Sequence, residues 1–401
     1  VADLTTDFCI VGGGPAGLTL ALLLVRSGAR VVVLERSRSL DRDYRGEILQ
    51  PGGQALLDAL GVLDPALAAG GYAMDRFQLV EHGRTLIDAD YRGLPGPFGR
   101  LLSLPQRHVL EELLAQCGKF EEFVHLGGCR AVRLLGSGGR VEGVEGDRAA
   151  GSPTVHAHCV IGADGRYSKV RRLAGIEAGR LDVFDQDVLW FRLPLSGPVP
   201  REVRIFRAGG NPVITYPSYP DSLQVGWTLP HGRYRALAEA GVGELRERIA
   251  RAMPPYADLV RASITSARDL TLLDVFAGDA AEWARDGLVL IGDSAHTHSP
   301  IGAQGINLAI QDAVALHGVL LDSLRRRDAT ARFFEPYVRD RRRTINRITR
   351  IQIMQSKAML STGRLGGALR PRIAGLVSRT PAYRRVFDTI AFGDRTIQVP
   401  G

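Results

Sequence analysis

The sequence predicts an α/β protein: a parallel sheet of the dinucleotide-binding type, an antiparallel sheet inserted into it, and a helical C-terminal region. Three observations predict this. Residues 7–35 read as strand, glycine-rich loop, helix and strand within about thirty residues, the size of one βαβ unit. Residues 181–230 change to alternating, aromatic-rich runs ("DVLWFRLPL", "EVRIFRAGG", "NPVITYPSY", "SLQVGWTLP") separated by turn residues, the pattern of antiparallel strands. From about residue 330 the pattern is helical and rich in arginine.

Taken in order, "DFCIV" (7–11) is a buried strand, since parallel strands covered on both faces read as continuous apolar runs. "GGGPAG" follows as a loop, "LTLALLLVRSG" as a helix stopped by Gly28, and "RVVVLE" (30–35) as the second strand. Residues 54–69 read as a helix broken at Pro65, and 105–117 as a helix with proline in its first turn. Short strands with glycine-rich turns fill 123–161. "GLVLIG" (287–292) returns to a buried strand, and "GINLAIQDAVALHGVLLDSL" is an amphipathic helix. The uncharged stretch 8–25 is interrupted by "GGGP" and has no basic flank, so it fits neither a spanning helix nor a signal peptide.

The 401 residues, 45% hydrophobic and 23% charged, suffice for one large or two intimately joined domains. The net charge of +8 is carried almost wholly by arginine, with lysine only at 119, 169 and 357. Such a balance suits nucleic acid, lipid headgroups or an anionic cofactor, and by itself selects none. The four cysteines, Cys9, Cys117, Cys129 and Cys159, have no CxxC spacing and read as reduced core thiols in a cytoplasmic protein. The basic C-terminal stretch lacks the interleaved aromatics that stack on bases and reads as a solvated helix face, so neither nucleic acid nor stable membrane association is expected.

Three motifs carry chemistry. Gly12, Gly14 and Gly17 have GxGxxG spacing, with Pro15 and Ala16 between them. The first glycine permits a tight turn, the second lets a pyrophosphate reach the backbone, and the third lets helix and strand pack closely. Glu35 ends the next strand eighteen residues past Gly17, where an acid hydrogen-bonds a ribose hydroxyl. Asp164–Gly165 follows a buried strand; alone, such a pair is most often a turn. In "IGDSAHTHSPIGAQGINLAIQDA" (291–313) a strand ends at Asp293, and a loop with Gly302 and Gly305 leads to a helix at Asn307, presenting backbone N–H groups to an anionic or electron-rich group. His296 and His298 form an HxH, but zinc needs a third ligand and nothing nearby supplies one, so no metal is expected.

The three motifs, in this order and over roughly residues 5–345, resemble those of the class A flavoprotein monooxygenases, the para-hydroxybenzoate hydroxylase-like FAD enzymes. "GADGRYSKVRRLAG" is similar to that family's DG pattern, and "GDSAHTHSPIGAQGINLAIQDA" to its GD pattern almost position by position. The resemblance implies a Rossmann-like FAD-binding domain from 1–75, 100–180 and 281–330, a substrate-binding domain from 76–99 and 181–280, and C-terminal helices from 331–401. It implies that Gly12, Gly14, Pro15, Ala16 and Gly17 hold the FAD pyrophosphate, with Glu35 and Arg36 at the adenosine half. Arg45 would neutralise phosphate, Gln106 and Arg107 would reach the ribityl–phosphate region, and Asp293 would bind the ribityl chain. Pro300, Gly302, Gly305, Ile306 and Asn307 would face the flavin ring, Pro300 beside the reacting edge, and Asp164 and Gly165 would serve FAD and transient NADH or NADPH. There is no second GxGxxG, so a separate nicotinamide domain is not expected.

The activity implied is hydroxylation of an aromatic or polyketide-like small molecule by NAD(P)H and O2 through a flavin C4a-hydroperoxide. Trp190, Arg192, Tyr216, Tyr219 and Trp227 are the substrate-side candidates, each with ordinary sheet packing as its alternative; Tyr216, assisting a phenol's deprotonation, is placed in catalysis together with Pro300 and Arg45. His82 and His231 read as surface or packing residues. A flavin-dependent epoxidase, a reductase or oxidase on an isoprenoid or quinone, or a flavin-binding protein without turnover would share the FAD motifs. A halogenase is disfavoured, since "LWFRLP" departs from WxWxIP and lysine is scarce. A homodimer stays open.

Overall fold

In the computed structural model, residues 3–40, 46–149, 151–181, 184, 186–207, 211–360 and 380–400 are described, 358–360 by backbone alone. β1 (Asp3–Val11), α1 (Pro15–Arg26) and β2 (Val31–Glu35) form the first βαβ unit. Helix α1 begins at Pro15, inside the stretch read as loop, because proline's fixed φ and missing N–H suit the first helical position. Every residue from Ala16 to Val25 is buried, which accounts for the membrane-like run in the sequence. No helix among the described residues is long and apolar enough to cross a membrane.

Helices α2 (Pro51–Ala59) and α3 (Leu63–Ala68) correct the expected break at Pro65. The chain turns at Gly61, with φ +67°, and Pro65 lies inside α3, within its first turn, where the amide it lacks has no partner to lose. The hairpin β3 (Arg76–Glu81) and β4 (Arg84–Asp90) turns at His82 and Gly83. Then come α4 (Gln106–Cys117), β5 (Phe123–Gly127), an antiparallel hairpin over 130–147, and β6 (Thr154–Gly162). The next strands are β7 (Gln186–Pro194), β8 (Glu202–Arg207), β9 (Val213–Ser218) and β10 (Ser222–Pro230). They are followed by α5 (Val242–Ala252), α6 (Ala257–Ser263), β11 (Thr271–Leu273) and β12 (Leu288–Leu290). The long helices α7 (Gly305–Arg326) and α8 (Ala331–Leu360) and a last helix α9 (Pro381–Phe392) complete the order.

The core of the central sheet runs β12-β6-β1-β2-β5, these five parallel; the 130–147 hairpin joins β6 and a short strand at Ala284–Arg285 joins β12, both antiparallel. Its register places Val11 beside both Gly162 and Leu34, and Gly162 beside Leu290. The GxGxxG, DG and GD loops therefore leave the same carboxyl edge of the sheet, where open α/β sheets bind ligands.

The second sheet runs β11-β7-β10-β9-β8-β3-β4. It is antiparallel apart from β8 and β3, which pair in parallel from Glu202↔Arg76 to Arg207↔Glu81, a departure from the purely antiparallel expectation. Side chains alternate between its faces. Leu189, Phe191, Leu223, Val225, Trp227 and Leu229 pack under α5 and α6. Val188, Trp190, Val203, Ile214 and Tyr216 pack on the other side.

Gly226 lies opposite Trp190, and a Cβ there would come within 2.7 Å of both Ile214 Cγ2 and the Trp190 ring. Gly226→Val is expected to push Trp190 out of place and to cost about 1–3 kcal/mol in urea unfolding; an unchanged midpoint would show that the indole has room to move.

Candidate active site

The three loops make a cradle with little slack. Gly12 has φ +115°, and a Cβ on it would sit 2.3 Å from the Ala163 carbonyl oxygen; one on Gly17 would sit 1.9 Å from that of Gly12. The N-terminus of α1 is thus pressed onto the strand ends. Its first turn begins at Gly14 with no side-chain cap, so its amides are open to phosphate oxygens. Glu35 is buried, its carboxylate accepting from the Gly13 amide at 2.8 Å and the Ser37 amide at 2.9 Å. This ties the second strand to the phosphate loop and puts exposed Arg36 at the rim.

Asp164 accepts from the Ser168 hydroxyl and from the Lys169 and Val170 amides, so the DG aspartate holds the first turn of the short helix Lys169–Leu173, whose N-cap is Ser168. Asp293 lies in a single turn over Gly292–Ser294, 3.8 Å from Arg166 Nε.

The turn that carries Asp293 is held from behind by Asp312 of α7, which is fully buried. One oxygen accepts from the Gly292 amide at 2.8 Å and lies 2.6 Å from His296 Nε2. The other takes Arg341 of α8 at 2.9 and 2.6 Å. Burial alone would raise this carboxyl; His296 and Arg341 reverse that and hold it well below the usual range. His296 Nδ1 meets His298 Nε2 at 2.9 Å, so both His296 nitrogens are engaged within the protein, as a metal ligand's would not be. Gln352 of α8 donates to the Ser299 and Ile301 carbonyls at 3.1 and 2.7 Å, clamping the loop around Pro300. Outside this region Asp187, His231 and Asp274 come together, but Arg180 pairs with Asp274 and already supplies that cluster's cation.

A single cavity of about 1890 Å³ runs from these loops to the Trp190 face of the second sheet. Ligand sites commonly measure roughly 300–1,000 Å³, so there is room for a dinucleotide and a second molecule. Its wall includes Gly12, Gly14, Pro15, Ala16, Glu35 and Arg36 at one end. Gln106, Asp164, Gly165 and Asp293 also line it, as do Pro300, Gly302, Gly305 and Ile306. Trp190 and Tyr216 line the far end.

Other candidates lie elsewhere. Gly17 acts through packing. Arg107 pairs with Glu111 on its own helix, away from the cavity. Asn307 is a stitch: its side chain accepts from the Gln50 amide at 3.0 Å and donates to the Ala303 carbonyl at 2.7 Å. Trp227 is on the helix-covered face, Tyr219 is partly exposed against Tyr72 and His108, and Arg192 reaches Glu47 rather than the cavity. The helix expected at Asn307 starts at Gly305. Arg45 lies outside the described residues.

The cavity also uses residues that sequence reasoning missed. Glu47, Gln50 and Tyr91 line it, and so do Tyr383, Val386, Phe387 and Ile390 of α9. Glu47 carried a faint signal, an acid between Gly46 and the apolar Ile48–Leu49; α9 carried none, since nothing local shows what a terminal helix packs against. The basic C-terminal stretch is only in part a solvated face. Arg341 is buried on Asp312, and Arg342 donates to the Ala280 carbonyl at 2.6 Å and lies over Trp283.

The FAD-binding domain family model matches residues 5–352. A 6-methylpretetramide 4-monooxygenase of Streptomyces rimosus is 61% identical over 98% of this chain and 94% of its own length. A protoasukamycin 4-monooxygenase of Streptomyces nodosus subsp. asukaensis is 28% identical, covering 88% of each. The crystal structure of a probable FAD-dependent monooxygenase of Pseudomonas aeruginosa aligns with TM-score 0.76 and 25% identity over 96% of this chain and all of that one. A p-nitrophenol 4-monooxygenase of Pseudomonas putida, at 20% identity, shares the fold with TM-score 0.83 over 98% of this chain and all of its own.

The His298 ring makes the network sensitive to acid. Burial, then the neighbouring His296, push it down from its ordinary 6.5 to about 3. Between those values the unfolded chain holds the additional proton, so this contribution is complete above 6.5 and declines as pH falls toward 3. The Asp312 contribution is lost only at pH below the ordinary 3.8 of a carboxyl. His298→Gln is expected to flatten the decline of the urea midpoint across the upper window; a profile parallel to the wild type's would show that His298 does not titrate there.

Proposed function

From the premise that this chain belongs to the FAD-binding domain family and is an FAD-dependent monooxygenase, we propose that its substrate is a polycyclic aromatic polyketide, hydroxylated on a ring carbon. The cavity carries this reading: it is continuous from the phosphate cradle to an apolar, aromatic wall, and it exceeds what the cofactor alone requires. The similarity to a 6-methylpretetramide 4-monooxygenase supports the same substrate class.

The residues present fit FAD. The open amides of Gly14 and Ala16 would receive the pyrophosphate, Glu35 and Arg36 would meet the adenosine half, and Asp293 with the 300–306 loop would face the ribityl chain and ring. Bound FAD, reduced by NADH or NADPH, supplies the activation of O2. The protein's own part is to orient and to keep dry. Val188, Trp190, Val203, Ile214 and Tyr216 form an apolar wall that seats fused rings and excludes water from the reacting edge. The Pro300 loop, clamped by Gln352, fixes how far the substrate approaches. The Tyr216 ring sits edge-on to Trp190 with centroids 6.3 Å apart, a rigid corner for a planar ligand.

Turnover of a tetracyclic polyphenol with NADPH under isotopically labelled O2 tests the reading. One labelled oxygen is expected in the product, and product without label would overturn it. The two tryptophans separate wall from packing. Trp190→Leu is expected to raise KM about tenfold or to uncouple NADPH use from product. Trp227→Leu is expected to cost ~2 kcal/mol of stability with KM unchanged. The reverse pattern would place the substrate on the other face of the sheet.

A further inference from the structure

We propose that Glu47 is the substrate-orienting acceptor of the cavity, taking a hydrogen bond from a ring hydroxyl of the polyphenol; the inference rests on the polyketide reading above.

Glu47 is only 5% exposed, and what it exposes lines the cavity. The other carboxylates of the lining are Glu35, Asp147, Asp164 and Asp293. They stand at the end of β2, on the 130–147 hairpin, and on the DG and GD loops, all on the cofactor side. Glu47 alone among the lining acids stands beside the second sheet, held by two of its strands. Arg192 of β7 donates to Oε1 at 2.6 Å, and Ser218 of β9 donates to Oε2 at 2.7 Å. Arg192 is itself fixed by Gln224 Oε1 at 3.0 Å, and Gln224 donates to the Phe191 carbonyl at 3.1 Å.

An ionised carboxylate has about four acceptor positions, and this geometry uses two of them. The carboxylate is locked in place by groups that do not fill the cavity, so a ligand hydroxyl can take a remaining lone pair. Burial pushes the Glu47 carboxyl up, while Ser218 and Arg192 work in the opposite direction. Isolated in an apolar wall the anion would be costly; held by a guanidinium and a hydroxyl it remains a strong acceptor. Toward a phenol this has a chemical consequence. A hydrogen bond that draws on the O–H proton leaves more electron density on the ring carbons ortho and para to the oxygen, the positions an electrophilic oxygen attacks. Glu47 would therefore choose which way round a polyphenol lies as well as whether it binds.

The test uses oxidised, FAD-loaded protein without reductant. The probes are anthraflavic acid, a dihydroxyanthraquinone with both hydroxyls free, and its dimethyl ether, with Kd read from quenching of flavin fluorescence. The wild type is expected to prefer the free hydroxyls by about tenfold, the scale of one hydrogen bond to a charged acceptor. Glu47→Gln, which keeps the shape and removes the charge, is expected to abolish most of that preference with FAD content unchanged. Ser218→Ala, which frees one Glu47 oxygen, is expected to reduce it in part and provides the same readout should E47Q lose FAD. An undiminished preference in both variants, or an equal loss of affinity for both probes, would overturn the inference while leaving the polyketide reading standing. Failure of the wild type to bind either probe would overturn the reading itself, and this inference with it.

Discussion

The carboxylate of Asp312 is the point on which the site depends. It is a full charge at zero exposure, and burying such a group costs several kcal/mol unless every lone pair is used. Here the Gly292 amide, His296, and Nε and Nη2 of Arg341 use them. Those partners come from the GD turn itself, from the loop just after it, and from α8. The turn with its loop, α7 and α8 are thereby held to one carboxylate, and removing His296 or Arg341 leaves the buried charge short of a partner. The Asp293 turn and the Pro300 loop inherit their positions from this contact and from the Gln352 clamp beside it.

The second constraint is the parity of the inserted sheet. Residues one apart on a strand face opposite sides, so one register assigns Trp190 and Tyr216 to the cavity and Trp227 to the core under α5 and α6. Gly226 belongs to the same arrangement, since only a residue without a side chain leaves the Trp190 ring its place. The apolar wall and the helix-covered core are two faces of the same strands, and a slip of one residue would exchange them.

Much of the fold was legible because its signals are local. Continuous apolar runs marked β1, β2 and β12, alternation marked β7 to β10, and glycine spacing placed the tight turn between β1 and α1. Local signals misled where tertiary contacts decide. Pro65 looked like a break but suits a first turn, and the "GGGP" loop already contains the start of α1. From the sequence the HxH reads as no metal site, but what its rings do instead is not legible there: Asp312 and Gln352, fourteen and fifty-four residues beyond His298, engage them. Arg107 and Asn307 sat at motif positions, yet one pairs along its own helix and the other stitches two loops.

By itself the sequence determined the class of sheet, the order of the three ligand loops and the cofactor they suit, because each rests on residues within one turn or strand of another. Only the tertiary structure decided which aromatic residues face the cavity, that α9 closes its wall, that Glu47 meets Arg192 and Ser218, and that Asp312 anchors the GD turn. Each of these is a meeting of side chains from separate elements, set by strand register and packing of the whole chain.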